Sequence, residues 1–254
     1  MASPRPLVLM TNDDGVNAPM LAALADELAK DLDILVVAPE RQRSAASHAI
    51  TLHKPLRARE VAPGRWSLSG TPVDCVYVGV LRLAPRAPAL VVSGPNDGFN
   101  LGTDVFYSGT VAGAVEGALR GFPAVALSVA PRATHVAEAI AFAATVVRQA
   151  VTSLPPAEVL NVNIPGKGER TYEWTKLGKR RYADDVTERS DPWGRPYFWI
   201  GGGSTGHEDL PGSDCNAVHE GRVSITPLDL GRDHHARIAE PPFAVDGYEP
   251  AAER

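Results

Sequence analysis

The sequence predicts an α/β fold in which a mostly parallel β-sheet carries helices on both of its faces. Short, continuously apolar segments alternate with amphipathic segments over residues 1–165. Strands that are apolar throughout belong to sheets that are covered on both sides, and the intervening helices supply the cover. The length of 254 residues suits one compact α/β unit, which buries enough surface to fold without disulfides or a structural metal.

The predicted core alternates strand and helix along the chain. Pro6–Met10 is a buried strand, and the helix Met20–Leu32 follows, with its leucines on one face. The other predicted strands are Asp33–Ala38, Ala89–Ser93, Ala124–Val129 and Val159–Ile164. The other predicted helices are Thr71–Leu83, Gly109–Arg120 and Val136–Leu154.

Beyond Pro165 the pattern changes to isolated short strands separated by Gly, Pro and Asp. These predicted strands are Tyr172–Leu177, Tyr197–Gly201 and Arg222–Pro227. We expect a catalytic core over 1–165 and a β-rich extension or oligomerisation arm over 166–238, part of which returns to the core. The segment 239–254 is rich in Pro and charge, so we expect it to fray.

Composition excludes several classes of function. The formal net charge of −5 leaves no broad basic field for duplex DNA or an anionic membrane. The longest apolar run, near Ala139–Val147, is far shorter than the roughly 20 residues of a membrane span. Two cysteines, Cys75 and Cys215, cannot form a disulfide framework, and residues 1–6 lack the features of a secretory signal. We therefore expect a cytoplasmic protein that binds neither nucleic acid nor membrane.

Three polar segments follow three of the predicted strands. They are Thr11–Gly15 (TNDDG), Glu40–Ser47 (ERQRSAAS) and Ser93–Gly102 (SGPNDGFNLG). Ligands of a parallel α/β sheet bind outside the carboxyl ends of its strands. We therefore expect these segments to converge at one edge of the sheet.

Asp13 and Asp14 are the candidate centre of that edge. In the tight turn that Gly15 permits, both carboxylates can face one point, where they repel each other unless a cation lies beside them. An Asp-Asp-Gly sequence after a strand is also typical of a plain turn, so a metal site needs further oxygen donors. Ser44 and Asn96 would complete an all-oxygen shell, which suits Mg²⁺ or Mn²⁺ rather than zinc or copper.

The sequence Tyr107–Thr110 (YSGT) lies at the start of a predicted helix and is a candidate anion-binding site. The free N–H groups of a helix N-terminus bind anions, although Ser-Gly-Thr alone is equally typical of an ordinary cap. Beside a divalent cation, phosphate is the expected ligand. Gly109, Gly113 and Gly117 are interpreted as the side of this helix that packs closely on the sheet. The charge run Lys179–Arg181 is expected to be solvated.

Taken together, these segments resemble the SurE-type survival proteins, a family of metal-dependent 5′/3′-nucleotidases. The matching stretches occur in the family's order and are Thr11–Pro19, Val36–Ser47, Gly70–Gly79, Ser93–Gly117 and Gly221–Leu228. The Asn-Asp-Asp-Gly turn, combined with the Asn- and Gly-rich loop and Tyr-Ser-Gly-Thr, is highly specific. Three positions depart from the family pattern: Pro95 replaces an aliphatic residue, Asp97 adds a carboxylate and Met20 replaces a common Gly.

The resemblance implies a Rossmann-like core and one divalent cation, Mg²⁺ or Mn²⁺. The metal ligands it implies are the same four residues that the sheet-edge argument proposes, Asp13, Asp14, Ser44 and Asn96. The phosphate contacts it implies are Asn96, Ser108, Gly109 and Thr110. It also implies a homodimer or homotetramer that exchanges C-terminal elements.

The implied reaction is hydrolysis of a nucleoside monophosphate to nucleoside and phosphate by attack of water on a cation-polarised phosphoryl group. Asp13 is the candidate catalytic residue, which either orients and deprotonates the water or attacks phosphorus directly. One alternative is a broad phosphatase or exopolyphosphatase that acts mainly on non-nucleotide or short polyphosphate substrates. Another is a non-catalytic nucleotide-binding regulator, whose mark would be a missing metal ligand. The preferred base and the choice between 5′- and 3′-nucleotides stay open.

Overall fold

Thirteen strands and five α-helices lie in the residues that this computed structural model describes, which are 4–166, 171–182, 186–200 and 205–231. The strands are β1 (Leu7–Thr11), β2 (Asp33–Pro39), β3 (Ala58–Ala62), β4 (Arg65–Leu68), β5 (Leu90–Asp97), β6 (Ala124–Val129), β7 (Val159–Ile164), β8 (Tyr172–Trp174), β9 (Arg180–Tyr182), β10 (Val186–Ser190), β11 (Pro196–Ile200), β12 (Thr205–His207) and β13 (Val223–Leu228). The helices are α1 (Pro19–Leu28), α2 (Pro72–Val78), α3 (Gly109–Leu119), α4 (Val136–Ser153) and α5 (Asp214–His219).

Nine of the strands form one sheet in the order β3-β4-β2-β1-β5-β6-β7-β13-β8. The six strands from β4 to β7 in that order run parallel to one another. The flanking strands β3 and β13 run antiparallel to β4 and β7. The prediction of a mostly parallel sheet is therefore confirmed. The last strand, β13, comes from the C-terminal part of the chain and joins the sheet beside β7.

The strands are apolar throughout because both faces of the sheet are covered. Alternate residues of β1 show this: Val8 and Met10 pack with α1 and α4, whereas Leu7 and Leu9 pack with α2 and α3. Each face of the sheet therefore has its own buried cluster. Helix α1 ends at Leu28 rather than at the predicted Leu32, because the chain turns there to enter β2.

Some secondary-structure elements and one side chain differ from the sequence-based prediction. Every residue of β3 is exposed, so the strand has no apolar run to reveal it. Helix α5 spans six residues, too few for a periodic apolar face. Within the predicted charge run Lys179–Arg181, Arg180 is wrongly assigned to solvent: it is half-buried, with its Nε 3.3 Å from Asp104 Oδ2.

The C-terminal part of the chain also forms two separate two-stranded sheets. Strands β10 and β11 pair with each other from Val186↔Ile200 to Ser190↔Pro196, and β9 pairs with β12. The predicted frayed segment 239–254 lies outside the described residues. None of the helices in the described ranges is long and apolar enough to cross a membrane.

Helix α3 lies unusually close to the sheet. A Cβ placed at Gly113 would lie 2.7 Å from Ser93 Oγ, and one at Gly117 would lie 2.6 Å from Val91 Cβ. Both distances are below van der Waals contact, so a side chain at either position would push the helix away. The interpretation of the glycine stripe as a packing surface is confirmed, and it determines how near the N-terminus of α3 comes to the end of β1.

We expect Gly117→Val to lower the free energy of unfolding by about 1–3 kcal/mol, because the added methyl groups overpack the contact with Val91. Urea denaturation monitored by circular dichroism measures the change. Gly206→Val is the matched control, since a Cβ at Gly206 meets no described atom within 4 Å. A change of less than about 0.5 kcal/mol for Gly117→Val would contradict the close-packing account.

Candidate active site

The three polar segments meet at the carboxyl edge of the sheet, where the adjacent strands β2, β1 and β5 end. The Arg43 N–H donates to the Asp13 carbonyl oxygen at 2.7 Å, which joins the segment after β2 to the segment after β1. The Asp97 N–H donates to Asp14 Oδ2 at 3.3 Å, which joins the end of β5 to the same turn. One edge therefore gathers residues that are more than 80 positions apart in the sequence.

The turn that carries the two carboxylates is held by Asn12 and Gly15. The Asn12 side chain donates from Nδ2 to the Gly15 carbonyl and accepts from the Gly15 N–H at Oδ1, both at 3.1 Å. Gly15 has a φ of +101°, and a Cβ there would lie 3.3 Å from the Pro39 carbonyl oxygen. Only glycine takes that conformation without strain, so this position fixes the directions of Asp13 and Asp14.

Asp13 is buried against the N-terminus of α3. Its residue surface is only 6% exposed, and Thr110 Oγ1 donates to its Oδ1 at 2.5 Å. A Cβ at Gly109 would lie 3.1 Å from Asp13 Cβ, so glycine lets the helix approach this closely. Burial raises the pKa of Asp13; the hydrogen bond from Thr110 opposes the shift, and the nearby charge of Asp14 adds to it.

Asp14 is half-buried and faces the end of β5. Its pKa is raised, first by burial, and the charge of Asp97 adds to the shift. The Asp97 N–H donates to Asp14 Oδ2 and partly opposes it. The two neighbouring carboxylates therefore both resist ionisation, and among the described residues no Lys, Arg or His contributes to either shift.

These residues fit a hard divalent cation. Two adjacent carboxylates without a cationic partner need a positive charge to stay ionised in a partly buried site. The described part of the chain holds no group of three or more His, Cys, Asp and Glu side chains placed around a metal. A cation here would therefore complete its shell with neutral oxygens or water, as Mg²⁺ and Mn²⁺ commonly do.

Asn96, near the end of β5, carries a neutral side-chain oxygen of this kind. Its Nδ2 donates to the Gly98 carbonyl at 2.7 Å, so this hydrogen bond does not use Oδ1, the oxygen that could bind a cation. The pairing of β5 with β6 shifts register between Ser93 and Asn96. Gly94 makes that irregularity possible, since a Cβ there would lie 2.2 Å from the Leu127 carbonyl oxygen.

Ser44 enters from the loop after β2 and is exposed. It directly follows Arg43, whose N–H binds the Asp13 carbonyl. Ser47 holds the far side of the loop, with its Oγ donating to the Phe106 carbonyl at 2.6 Å. The loop is thus attached both to the carboxylate turn and to the 3₁₀ turn Gly102–Phe106 that precedes α3.

The N-terminus of α3 holds the predicted phosphate-binding residues, all of them buried: Ser108, Gly109 and Thr110. Ser108 is the N-cap, and its Oγ accepts from the Val111 N–H at 3.0 Å. The N–H groups of the first helical turn have no partner within the helix and carry partial positive charge. An anion bound there would lie beside Asp13.

Two contacts of the site have no signal in the sequence pattern. Thr110 was predicted to contact phosphate, and its hydroxyl donates to Asp13. His48 Nε2 lies 3.0 Å from Glu116 Oε2, and Arg120 donates to the same carboxylate at 2.7 Å. Burial opposes ionisation of Glu116, but these two hydrogen bonds outweigh it and lower the pKa of that carboxyl. Residues 48 and 116 are 68 positions apart, so local patterns do not reveal the pair.

Comparison with known proteins identifies relatives of this chain. Residues 8–184 match the family described as "Survival protein SurE". A protein named 5'-nucleotidase SurE from Anaeromyxobacter sp. (strain Fw109-5) is 51% identical over 248 residues, which are 95% of this chain and 97% of that protein. Its namesake from Sorangium cellulosum (strain So ce56) is 48% identical over 244 residues, with 92% and 95% covered.

A solved structure is similar as well. The crystal structure of the SurE protein from Aquifex aeolicus superposes with a TM-score of 0.80 at 34% sequence identity. The match covers 92% of this chain and 97% of that one. The likeness therefore extends over the core and most of the C-terminal part of the chain.

We expect Asp13→Asn to raise the melting temperature of the metal-free protein at pH 7. A carboxyl whose pKa is raised on folding favours the folded state below its ordinary value of 3.8, and that contribution is lost as the pH rises through the folded pKa. The variant removes the resulting penalty at neutral pH, so its advantage should shrink as the pH falls toward 4. Differential scanning calorimetry in EDTA measures both temperatures.

The exposed helical residue Asp26 offers the matched control, Asp26→Asn. We expect no comparable pH-dependent gain from that substitution. An Asp13→Asn protein that melts below the wild type at pH 7 and near pH 4 alike would contradict the assignment of electrostatic strain to Asp13.

Proposed function

This chain belongs to the SurE family of survival proteins, and from that premise we propose that it is a phosphoric monoester hydrolase that converts nucleoside monophosphates to nucleosides and phosphate. The observation that carries the proposal is the Asp13–Asp14 pair, which three loops and the N-terminus of α3 surround. Relatives named as 5'-nucleotidases cover almost the whole chain, the site included. The segments that match those relatives therefore contain the residues of the proposed site.

The cation-binding residues we propose are Asp13, Asp14, Ser44 and Asn96. The two carboxylates supply the negative charge, and the Asn96 and Ser44 oxygens supply neutral donors, a set that suits Mg²⁺ or Mn²⁺. When bound, the cation would polarise the phosphoryl group and offset its negative charge. Support for this set comes from the raised pKa values of the carboxylates and from the Asn96 hydrogen bond, which does not use Oδ1.

The phosphate-binding residues we propose are Ser108, Gly109 and Thr110, together with Asn96. The first-turn N–H groups of α3 would hold the phosphate oxygens, because they are unpaired within the helix and already fixed in direction. Such preorganised donors need no rearrangement as charge develops during the reaction. Because Gly109 lies close to Asp13, a phosphate held there would lie next to the carboxylate pair.

Asp13 is the proposed catalytic residue. Its carboxylate would orient a water molecule and accept a proton from it while the water oxygen attacks phosphorus; direct attack by the carboxylate is the alternative. The bond between phosphorus and the ester oxygen breaks, that oxygen takes up a proton from Asp13 or from solvent, and nucleoside and orthophosphate leave. Thr110 keeps Asp13 in one orientation through its hydrogen bond. Hydrolysis of phosphate monoesters is so slow without a catalyst that positioning, charge and proton transfer must all contribute.

We expect Asp13→Asn to reduce phosphate release from AMP in the presence of Mn²⁺ by roughly 10³-fold or more, since one substitution removes a cation ligand and the proton acceptor. The wild type should lose activity in EDTA and regain it with Mn²⁺ or Mg²⁺. A colorimetric phosphate assay measures both effects.

Asp26→Asn serves as the control and should keep the wild-type rate, because Asp26 is exposed on α1. Undiminished turnover by Asp13→Asn would overturn the proposed mechanism. Wild-type turnover of tripolyphosphate that far exceeds that of AMP would instead favour a polyphosphatase. Binding of AMP without any turnover would favour a regulator.

We further propose that the chain forms a homodimer or homotetramer through its β10–β11 hairpin. The aromatic and aliphatic side chains of this hairpin are exposed, namely Trp193, Tyr197, Phe198, Trp199 and Ile200. Ile200 is 89% exposed, and the two strands pair only with each other among the described residues. Several exposed apolar side chains in one hairpin are typical of an interaction site.

We expect the double variant Trp199→Ser with Ile200→Ser to lower the mass measured by size-exclusion chromatography with light scattering. The wild type should have at least twice the chain mass of 27.0 kDa. Leu81→Ser, at an exposed apolar position outside the hairpin, is the control and should keep the wild-type mass. Equal masses for the double variant and the wild type would contradict the hairpin interface.

The cytoplasm is the proposed location of the protein. Cys75 and Cys215 are both free thiols, and both are buried. Unpaired thiols suit a reducing compartment better than an oxidising one.

A further inference from the structure

A cavity of about 500 Å³ opens beside Asp14. Its walls come from the start of α1, the loop after β2, the end of β5 and the loop between β6 and α4. It lies on the face of the sheet that α1 and α4 cover, whereas Asp13 faces α3 on the other side. The carboxylate pair therefore stands between the proposed phosphate site and this cavity.

The lining combines an apolar wall with polar groups. Pro19, Met20 and Val136 contribute apolar surface, and Gln42, Asp97 and Arg132 contribute polar atoms. Small-molecule sites have volumes of roughly 300–1,000 Å³ and share this combination of apolar walls and a few convergent polar groups. A nucleoside has the complementary chemistry, because its base is a flat ring with polar edges and its ribose carries hydroxyls.

Hydrogen bonds hold the loops on the polar side of the cavity. The Arg132 N–H donates to Asp97 Oδ1 at 3.2 Å, and the Gly98 N–H donates to the Val129 carbonyl at 2.9 Å. Arg132 has a φ of 55°, in the left-handed region that non-glycine residues adopt at some energetic cost. In that conformation the Arg132 N–H faces Asp97.

We propose that this cavity binds the nucleoside of the substrate, with the base against Met20 and Val136 and the ribose hydroxyls donating to Asp97. An acidic side chain that accepts from ribose hydroxyls is a recurring device in α/β nucleotide sites. Met20 and Asp97 both line the cavity, so these two side chains would shape its nucleoside preference. The inference rests on the proposed function, because it assigns a binding site to the nucleoside, the part of the proposed substrate that hydrolysis releases unchanged.

A second cavity, of about 690 Å³, lies on the α3 side of the molecule and supplies a control. Its lining includes Val105, Val111 and Leu230 and none of the four proposed cation ligands. Filling it should leave nucleoside binding unchanged if the cavity beside Asp14 is the nucleoside site. Leu230→Trp is the matched substitution, because it adds the same side chain as Met20→Trp.

The test measures nucleoside binding and hydrolysis separately. Isothermal titration calorimetry with adenosine requires no turnover, and we expect Met20→Trp to weaken adenosine binding at least tenfold by filling the cavity. With Mn²⁺ present, the same variant should raise KM for AMP at least tenfold and change KM for glycerol 2-phosphate, which has no nucleoside, less than threefold. Asp97→Ala, at an exposed position, should weaken adenosine binding at least fivefold even if Met20→Trp fails to fold.

Leu230→Trp should bind adenosine as tightly as the wild type. Wild-type adenosine affinity in Asp97→Ala and Met20→Trp would overturn the inference, as would equal increases in KM for AMP and glycerol 2-phosphate. A wild-type protein that binds adenosine in this cavity and does not hydrolyse AMP would overturn the proposed function and leave the cavity assignment supported.

Discussion

The contact between the Asp13 carboxylate and the N-terminus of α3 is the constraint on which the site depends. It exists because Gly109 has no side chain to hold the helix away, and because Thr110 donates directly to the carboxylate. Gly113 and Gly117 bring the rest of the helix to the same short distance from β5. The packing of one helix thereby places a row of anion-binding N–H groups beside a negative charge. A carboxylate is favourable at a helix N-terminus, but a phosphate bound to the same N–H groups would be repelled by Asp13 and Asp14 unless a cation offset their charge.

This arrangement explains how an acidic chain, of net charge −5, can act on a negatively charged substrate. The substrate would be held by local groups: the helix N-terminus, a cation and the Asn96 amide. Burial disfavours ionisation of both Asp13 and Asp14 and raises the pKa of each; the charge of Asp14 adds to the shift at Asp13, and the charge of Asp97 adds to the shift at Asp14. Functional sites commonly keep such strained groups at the expense of stability. The Asn12–Gly15 turn and the loop contact from Arg43 hold them in place.

Much of the fold could be predicted from the sequence because buried strands are continuously apolar, and the edge rule for parallel sheets brought three distant segments together. Other features have no such pattern. Strand β3 is exposed throughout, and α5 is too short for periodicity. Arg180 lies in a charge run typical of solvent but pairs with Asp104. The hydroxyl of Thr110 reaches Asp13 across 97 positions, a contact that only the three-dimensional packing determines.

The most direct test of the central claim is a crystal structure with Mn²⁺ and phosphate, in which anomalous scattering locates the metal. The account predicts one Mn²⁺ at roughly 2–2.5 Å from oxygens of Asp13, Asp14 and Asn96, with Ser44 close enough to bind directly or through water. Phosphate should contact both that ion and the N–H groups of Gly109 and Thr110. An anomalous peak elsewhere, or a phosphate bound away from α3 with the two carboxylates turned apart, would contradict it.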